Sequence, residues 1–68
     1  MAYKLTPLGD NRALHLESVD AESAIMVFLY QMKDPVEIEE IAGETRLPDE
    51  MALKVVNRLI SSGYAKEV

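Results

Sequence analysis

The sequence predicts one α+β domain that is mostly helical, with three main helices and a small antiparallel sheet. A strand-like segment lies at each end, at residues 2–5 and 64–68, and we expect the two to pair because an isolated strand leaves its backbone groups unbonded. With 68 residues and no cysteine, the chain is one domain whose core must come from aliphatic packing. Apolar residues recur at helical spacing in three consecutive segments, at about residues 21–33, 35–45 and 49–62.

Charge is distributed unevenly along the chain, whose formal net charge is -5. Residues 17–50 carry two basic residues against ten acidic ones, a net charge of -8. Residues 51–68 carry three basic residues against one acidic residue, a net charge of +2. Any surface for nucleic acid is therefore expected to include the last third of the chain, because phosphate attracts cations.

The segment after the first strand admits two predictions. Thr6 as N-cap and Pro7 at the first helical position favour a helix over residues 7–16. The turn-forming run 9–11, followed by apolar residues that alternate with polar ones, favours a hairpin instead. The apolar spacing suits neither prediction well, and the helix is slightly favoured.

The helix at residues 21–33 begins after Asp20, which can cap it, and is apolar on two faces. Met26, Val27 and Tyr30 fall opposite the main apolar face. Because such a helix must be covered on both sides, we expect these three residues to pack against the N-terminal segment or to form a homodimer or partner interface. The main face carries residues at i, i+3, i+4 and i+7: Ile25, Phe28, Leu29 and Met32.

The second and third helices are separated only by Arg46-Leu47-Pro48, a short connection typical of a helix-turn-helix. Residues 34–37 predict the start of the second helix through a cap, a first-position proline and a capping-box glutamate, although a start at Glu37 is also possible. Gly63 is expected to close the third helix in the left-handed conformation. The apolar face of the third helix consists of Ala52, Val55, Val56 and Leu59.

Residues 41–65, IAGETRLPDEMALKVVNRLISSGYA, resemble the helix-turn-helix of winged-helix transcriptional regulators. Separately, residues 3–9, YKLTPLG, are similar to a segment that follows the wing in MarR-like and PadR-like regulators, although here they precede the helices. The resemblance implies a winged helix-turn-helix fold, and because the sequence ends at Val68 we expect the wing to be truncated. The residues that carry the main resemblance are Ile41, Ala42, Leu47, Ala52, Val56, Leu59 and Gly63.

The resemblance also implies that residues 49–62 are a recognition helix that enters the major groove of double-stranded DNA. Lys54 and Arg58 are then expected to bind phosphate or guanine edges, and Asn57 to read adenine. Arg46, at the preceding turn where the family often has glycine, is the fourth residue that we expect to contact DNA.

The first turn of this helix departs from the family pattern. The family usually has Ser or Thr there, whereas this chain has Asp49, Glu50 and Met51. The two carboxylates suit the helix dipole but repel the DNA backbone.

Two functions stay open at this point. One is a DNA-binding transcriptional regulator that acts as a homodimer. The other is an acidic winged-helix module that binds a protein partner and no DNA, which the acidic charge and the spare apolar surface of residues 21–33 favour.

Other function classes lack a supporting pattern. We expect no enzymatic activity, no cofactor and no metal, because the sequence offers no nucleophile–base pair, metal-ligand spacing or glycine-rich phosphate loop, and His15 is the only histidine. No apolar run is long enough for a signal peptide or a membrane span, so we expect a cytoplasmic protein without a membrane partner.

Overall fold

The computed structural model describes residues 1–68 and contains four helices and three strands. The prediction of a mostly helical α+β domain is confirmed. In chain order the elements are β1 (Ala2–Leu5), α1 (Pro7–Ala13), α2 (Ala21–Gln31), β2 (Val36–Glu37), α3 (Ile38–Thr45), α4 (Asp49–Ser61) and β3 (Ala65–Glu67).

β1 is the central strand of the sheet, which has the order β2-β1-β3 with both pairs antiparallel. Leu5 lies opposite Ala65, so the predicted pairing of the two end segments is confirmed. The amide N–H of Val68 donates to the carbonyl oxygen of Ala2 at 2.8 Å. Residues 2 and 68 are therefore neighbours at one end of the sheet.

The third strand, β2, was not predicted. Val36 and Glu37 form it, and α3 begins at Ile38, so a helix start at residue 35 is wrong. Val36 is buried and lies opposite Tyr3, so the strand supplies backbone partners to the second edge of β1 and buries a β-branched side chain. If these residues formed the first turn of a helix instead, β1 would lose this backbone pairing and Val36 would lose its buried position.

The segment after β1 is a helix and not a hairpin. The Oγ1 atom of Thr6 accepts a hydrogen bond from the amide N–H of Gly9 at 3.1 Å, which confirms Thr6 as the N-cap. α1 ends at Ala13, three residues before the predicted end. The amide of Leu16 donates to the carbonyl oxygen of Ala13 at 3.1 Å, so the chain leaves the helix through a tight turn.

α1 lies directly against the connection between α4 and β3. The amide of Thr6 donates to the carbonyl oxygen of Tyr64 at 2.9 Å, and its hydroxyl donates to the carbonyl oxygen of Gly63 at 2.6 Å. A Cβ atom on Gly9 would overlap the carbonyl oxygen of Tyr64 and lie 2.9 Å from its carbonyl carbon. This close approach requires glycine at position 9.

α2 begins with a reciprocal capping box. The Asp20 carboxylate accepts from the amide of Ser23 at 2.8 Å, and the Ser23 hydroxyl oxygen accepts from the amide of Asp20 at 3.0 Å. These bonds confirm Asp20 as the N-cap. The hydrogen bond from the Ser23 amide, and to a smaller degree the one from the Ser23 hydroxyl, lowers the pKa of Asp20 below its ordinary value. α2 ends at Gln31, two residues before the predicted end, because Met32 has an extended backbone.

A single cluster of apolar side chains forms the core, and α2, α3 and α4 pack against one another around it. None of the helices combines the length and the apolar character that crossing a membrane requires. The core members are Tyr3, Leu5, Ala13, Ile25, Met26, Leu29, Val36, Ile41, Ala42, Ala52, Val55, Val56, Leu59 and Ala65.

The two helical glycines allow a matched test of the contact between α1 and Tyr64. We expect Gly9→Ala to lower the free energy of unfolding by about 1–3 kcal/mol, because the added methyl group meets backbone that must shift. Gly43→Ala, where a Cβ meets nothing within 4 Å, should instead raise it by about 0.5–1 kcal/mol. Urea denaturation followed by circular dichroism measures both, and equal effects of the two substitutions would contradict the predicted contact.

Candidate nucleic-acid interface

The turn between α3 and α4 depends on one left-handed residue. Arg46 has φ 58°, the conformation in which glycine is favoured, and it is the only non-glycine residue with positive φ. The amide of Leu47 then donates to the carbonyl oxygen of Ala42 at 3.0 Å, and the Leu47 side chain packs against the core. Pro48 follows at the N-cap of α4, so the chain ends one helix and begins the next within three residues.

The far end of α4 closes as the sequence predicts. Gly63 has φ 83°, and its amide donates to the carbonyl oxygen of Ile60 at 3.0 Å. The amide of Tyr64 reaches the carbonyl oxygen of Leu59 at 2.9 Å, which completes a Schellman motif. Hydrogen bonds from the adjoining turns therefore close the C-terminal ends of both α3 and α4.

α4 has one buried and one exposed face. Ala52, Val55, Val56 and Leu59 are all buried in the core. The predicted contact residues Lys54, Asn57 and Arg58 lie on the exposed face, together with Glu50 and Ser61. The fourth predicted contact residue, Arg46, is exposed at the preceding turn.

Arg58 forms an ion pair within the protein. Its Nη1 atom lies 3.7 Å from the Oε2 atom of Glu22 on α2, and the two side chains are 66% and 42% exposed. At this distance and exposure the pair is a weak, screened attraction. It nevertheless draws the guanidinium toward α2, which sequence spacing within α4 did not indicate.

The first turns of α3 and α4 are both acidic. Asp49 and Glu50 occupy its first turn, and Glu39 and Glu40 occupy the first turn of α3. All four side chains are exposed. The basic residues of the exposed face therefore lie in the middle and last turns of α4, away from the end that a helix dipole makes attractive to phosphate.

The predicted dimer or partner interface must be corrected. Met26 is only 1% exposed and belongs to the core, so it offers no surface to another molecule. Val27 is half-buried, and Tyr30 is 43% exposed. The tertiary packing of α2 against α1, α3, α4 and β1 covers the helix on more sides than its periodicity alone could assign.

Comparison with protein-family models, with curated proteins and with solved structures finds no match. Within the structure, no group of three His, Cys, Asp or Glu side chains has an arrangement that could hold a metal ion.

Position 46 offers a test of the turn that separates backbone strain from charge. Arg46→Gly and Arg46→Ala remove the same guanidinium, but only glycine adopts φ 58° without a Cβ penalty. We expect Arg46→Gly to have a free energy of unfolding about 1 kcal/mol higher than Arg46→Ala. Thermal and urea denaturation of the two variants measure this difference, and a less stable glycine variant would contradict the left-handed turn.

Proposed function

We propose that this chain is a DNA-binding winged-helix protein, a transcriptional regulator that inserts α4 into the major groove. The observation that carries the proposal is the placement of Lys54, Asn57 and Arg58 on one exposed face of a helix whose opposite face is fully buried. An α-helix fits the major groove, and side chains of these types bind phosphate and base edges there.

The sheet supports the winged-helix assignment. β3 follows α4 directly and pairs antiparallel with β1, which precedes the helices. This order of strand, helices and strand is the one that the resemblance to winged-helix regulators implies.

The charge distribution determines which part of α4 would approach DNA. Asp49 and Glu50 repel phosphate, so the helix would present its later turns, with Lys54, Asn57 and Arg58, to the groove. Arg46 would add a cation at the turn. As a homodimer, the protein would place two copies of α4 at half-sites about one helical turn of DNA apart.

Removal of the α4 cations tests the proposal. We expect Lys54→Ala and Arg58→Ala each to weaken binding to a random-sequence duplex, and to reduce the slope of log K against log salt by about 1 because one fewer phosphate is neutralised. Fluorescence anisotropy at several salt concentrations measures both quantities. Lys66→Ala, which removes the same charge from β3, is the matched control and should have the smaller effect.

Two results would count against DNA binding through α4. One is unchanged affinity in both α4 variants. The other is an equal loss in Lys66→Ala, which would indicate that only the total charge of the protein matters.

The ion pair between Arg58 and Glu22 generates a second test. Glu22→Gln releases the guanidinium and removes a nearby negative charge, so we expect duplex affinity to increase by about twofold to fivefold. Glu67→Gln changes the net charge equally on β3 and should increase it less. Anisotropy titration of both variants beside the parent protein measures the difference, and a decrease in Glu22→Gln would contradict the proposed role of Arg58.

A second candidate function is favoured by the same acidic surroundings. With ten acidic residues between positions 17 and 50 and Arg58 drawn toward Glu22, the domain is suited to binding a protein partner without DNA. This alternative predicts no measurable affinity for random-sequence duplex at low salt. The anisotropy series above therefore separates the two functions.

A further inference from the structure

An open groove lies on a different surface, where the end of α1, the end of α2 and β1 meet. Its volume is about 560 Å³, within the range of sites that accept a few side chains. We define the α1–α2 groove by its apolar lining residues, which are Leu5, Leu14, Leu29, Tyr30 and Met32.

Three of the apolar residues that line this groove are exposed. Leu14 is 59% exposed, and Tyr30 and Met32 are 43% and 38% exposed. They come from separate elements, yet they line one concave surface with the buried residues Leu5 and Leu29 beneath them. Clustered exposed apolar side chains around a concavity are typical of a binding site, whereas scattered ones are ordinary surface.

The polar rim of the groove is basic, in a protein that is otherwise acidic. Lys4 and Lys33 line it, against the single acid Asp10. Lys66 lies directly opposite Lys4 in the antiparallel pair of β1 and β3, so two like charges face each other on the sheet. Neither ion pair of the structure involves a lysine. Adjacent like charges across strands are unfavourable unless an anionic group lies between them.

We propose that the α1–α2 groove binds a short segment of a partner protein that carries apolar anchor residues flanked by Asp or Glu. The apolar floor would accept the anchors, and Lys4 and Lys33 would pair with the carboxylates. The phosphates of a nucleic acid would pair with the lysines, but they would leave the apolar floor uncovered. A second copy placed by two-fold symmetry would bring the same lysine-rich rim against itself.

Selection from a random peptide library tests the chemistry of the occupant directly. The library is displayed on phage, selected on the immobilised full chain and counter-selected on Leu14→Asp/Tyr30→Ser, whose replaced side chains are exposed and outside the core. We expect enriched peptides that combine large apolar residues with a negative net charge and that fail to bind the counter-selected variant. Enrichment of basic or uncharged peptides, or of none that distinguish the two proteins, overturns the proposal.

Affinities for one enriched peptide then test the rim. Lys4→Glu and Lys33→Glu should each weaken binding by about fivefold, because each reverses a charge at the groove. Lys54→Glu is the matched control on α4 and should change the affinity by less than about twofold. Equal losses in all three variants would show that only overall charge matters and would overturn the site.

Two further measurements distinguish the other occupants. If size-exclusion chromatography shows a dimer that Leu14→Asp dissociates, a second copy fills the groove and the proposal fails. If Lys4→Glu and Lys33→Glu abolish duplex binding while peptide binding persists unchanged, nucleic acid uses the rim and the proposal also fails. Since α4 lies outside the groove, loss of DNA binding in α4 variants is a separate outcome that leaves this inference standing.

Discussion

Every strand pairing in this protein uses β1. β2 and β3 lie on its two edges and have no other partner, so neither would hold its extended backbone without it. The inward side chains Tyr3 and Leu5 also form part of the core beneath α2, and Thr6 continues the strand into the cap of α1. A four-residue strand thus joins the N-terminal helix, the start of α3 and the end of α4 into one domain.

The exposed face of α4 is a consequence of this arrangement. Because α2, α3 and the sheet cover one side of the helix, Lys54 and Asn57 can only lie on the other. The same packing brings Glu22 of α2 near Arg58. The structure therefore exposes one face of α4 to a binding partner. Acidic side chains near that face weaken its attraction for phosphate.

Local patterns in the sequence predicted local structure well. α2 and α4 follow from apolar residues at helical spacing, Asp20 and Thr6 from their capping chemistry, and Gly63 from its place after the last helical turn. Such features depend on neighbours within a few residues, so the sequence contains nearly all the information that determines them.

Features that depend on distant partners were missed or misassigned. β2 forms because its backbone pairs with β1, and nothing within residues 34–37 indicates that pairing. For Met26 the sequence left a contact within the chain and an interface with another molecule as alternatives, because periodicity shows that a helix face is apolar without showing what covers it; the structure buries Met26 within the domain. The α1–α2 groove escaped notice for the same reason, since Leu14, Tyr30 and Lys4 belong to three separate elements.

The position of β1 also affects how the protein folds during synthesis. β1 leaves the ribosome well before its partner β3, because all four helices and β2 lie between them in the chain. Until β3 has been made, one edge of β1 lacks its partner strand, and its backbone groups there are left without bonds from the sheet. The helices can form while translation continues, but the pair of β1 and β3 closes only after residues 65–67 have been made, as expected for a contact between residues far apart in the chain.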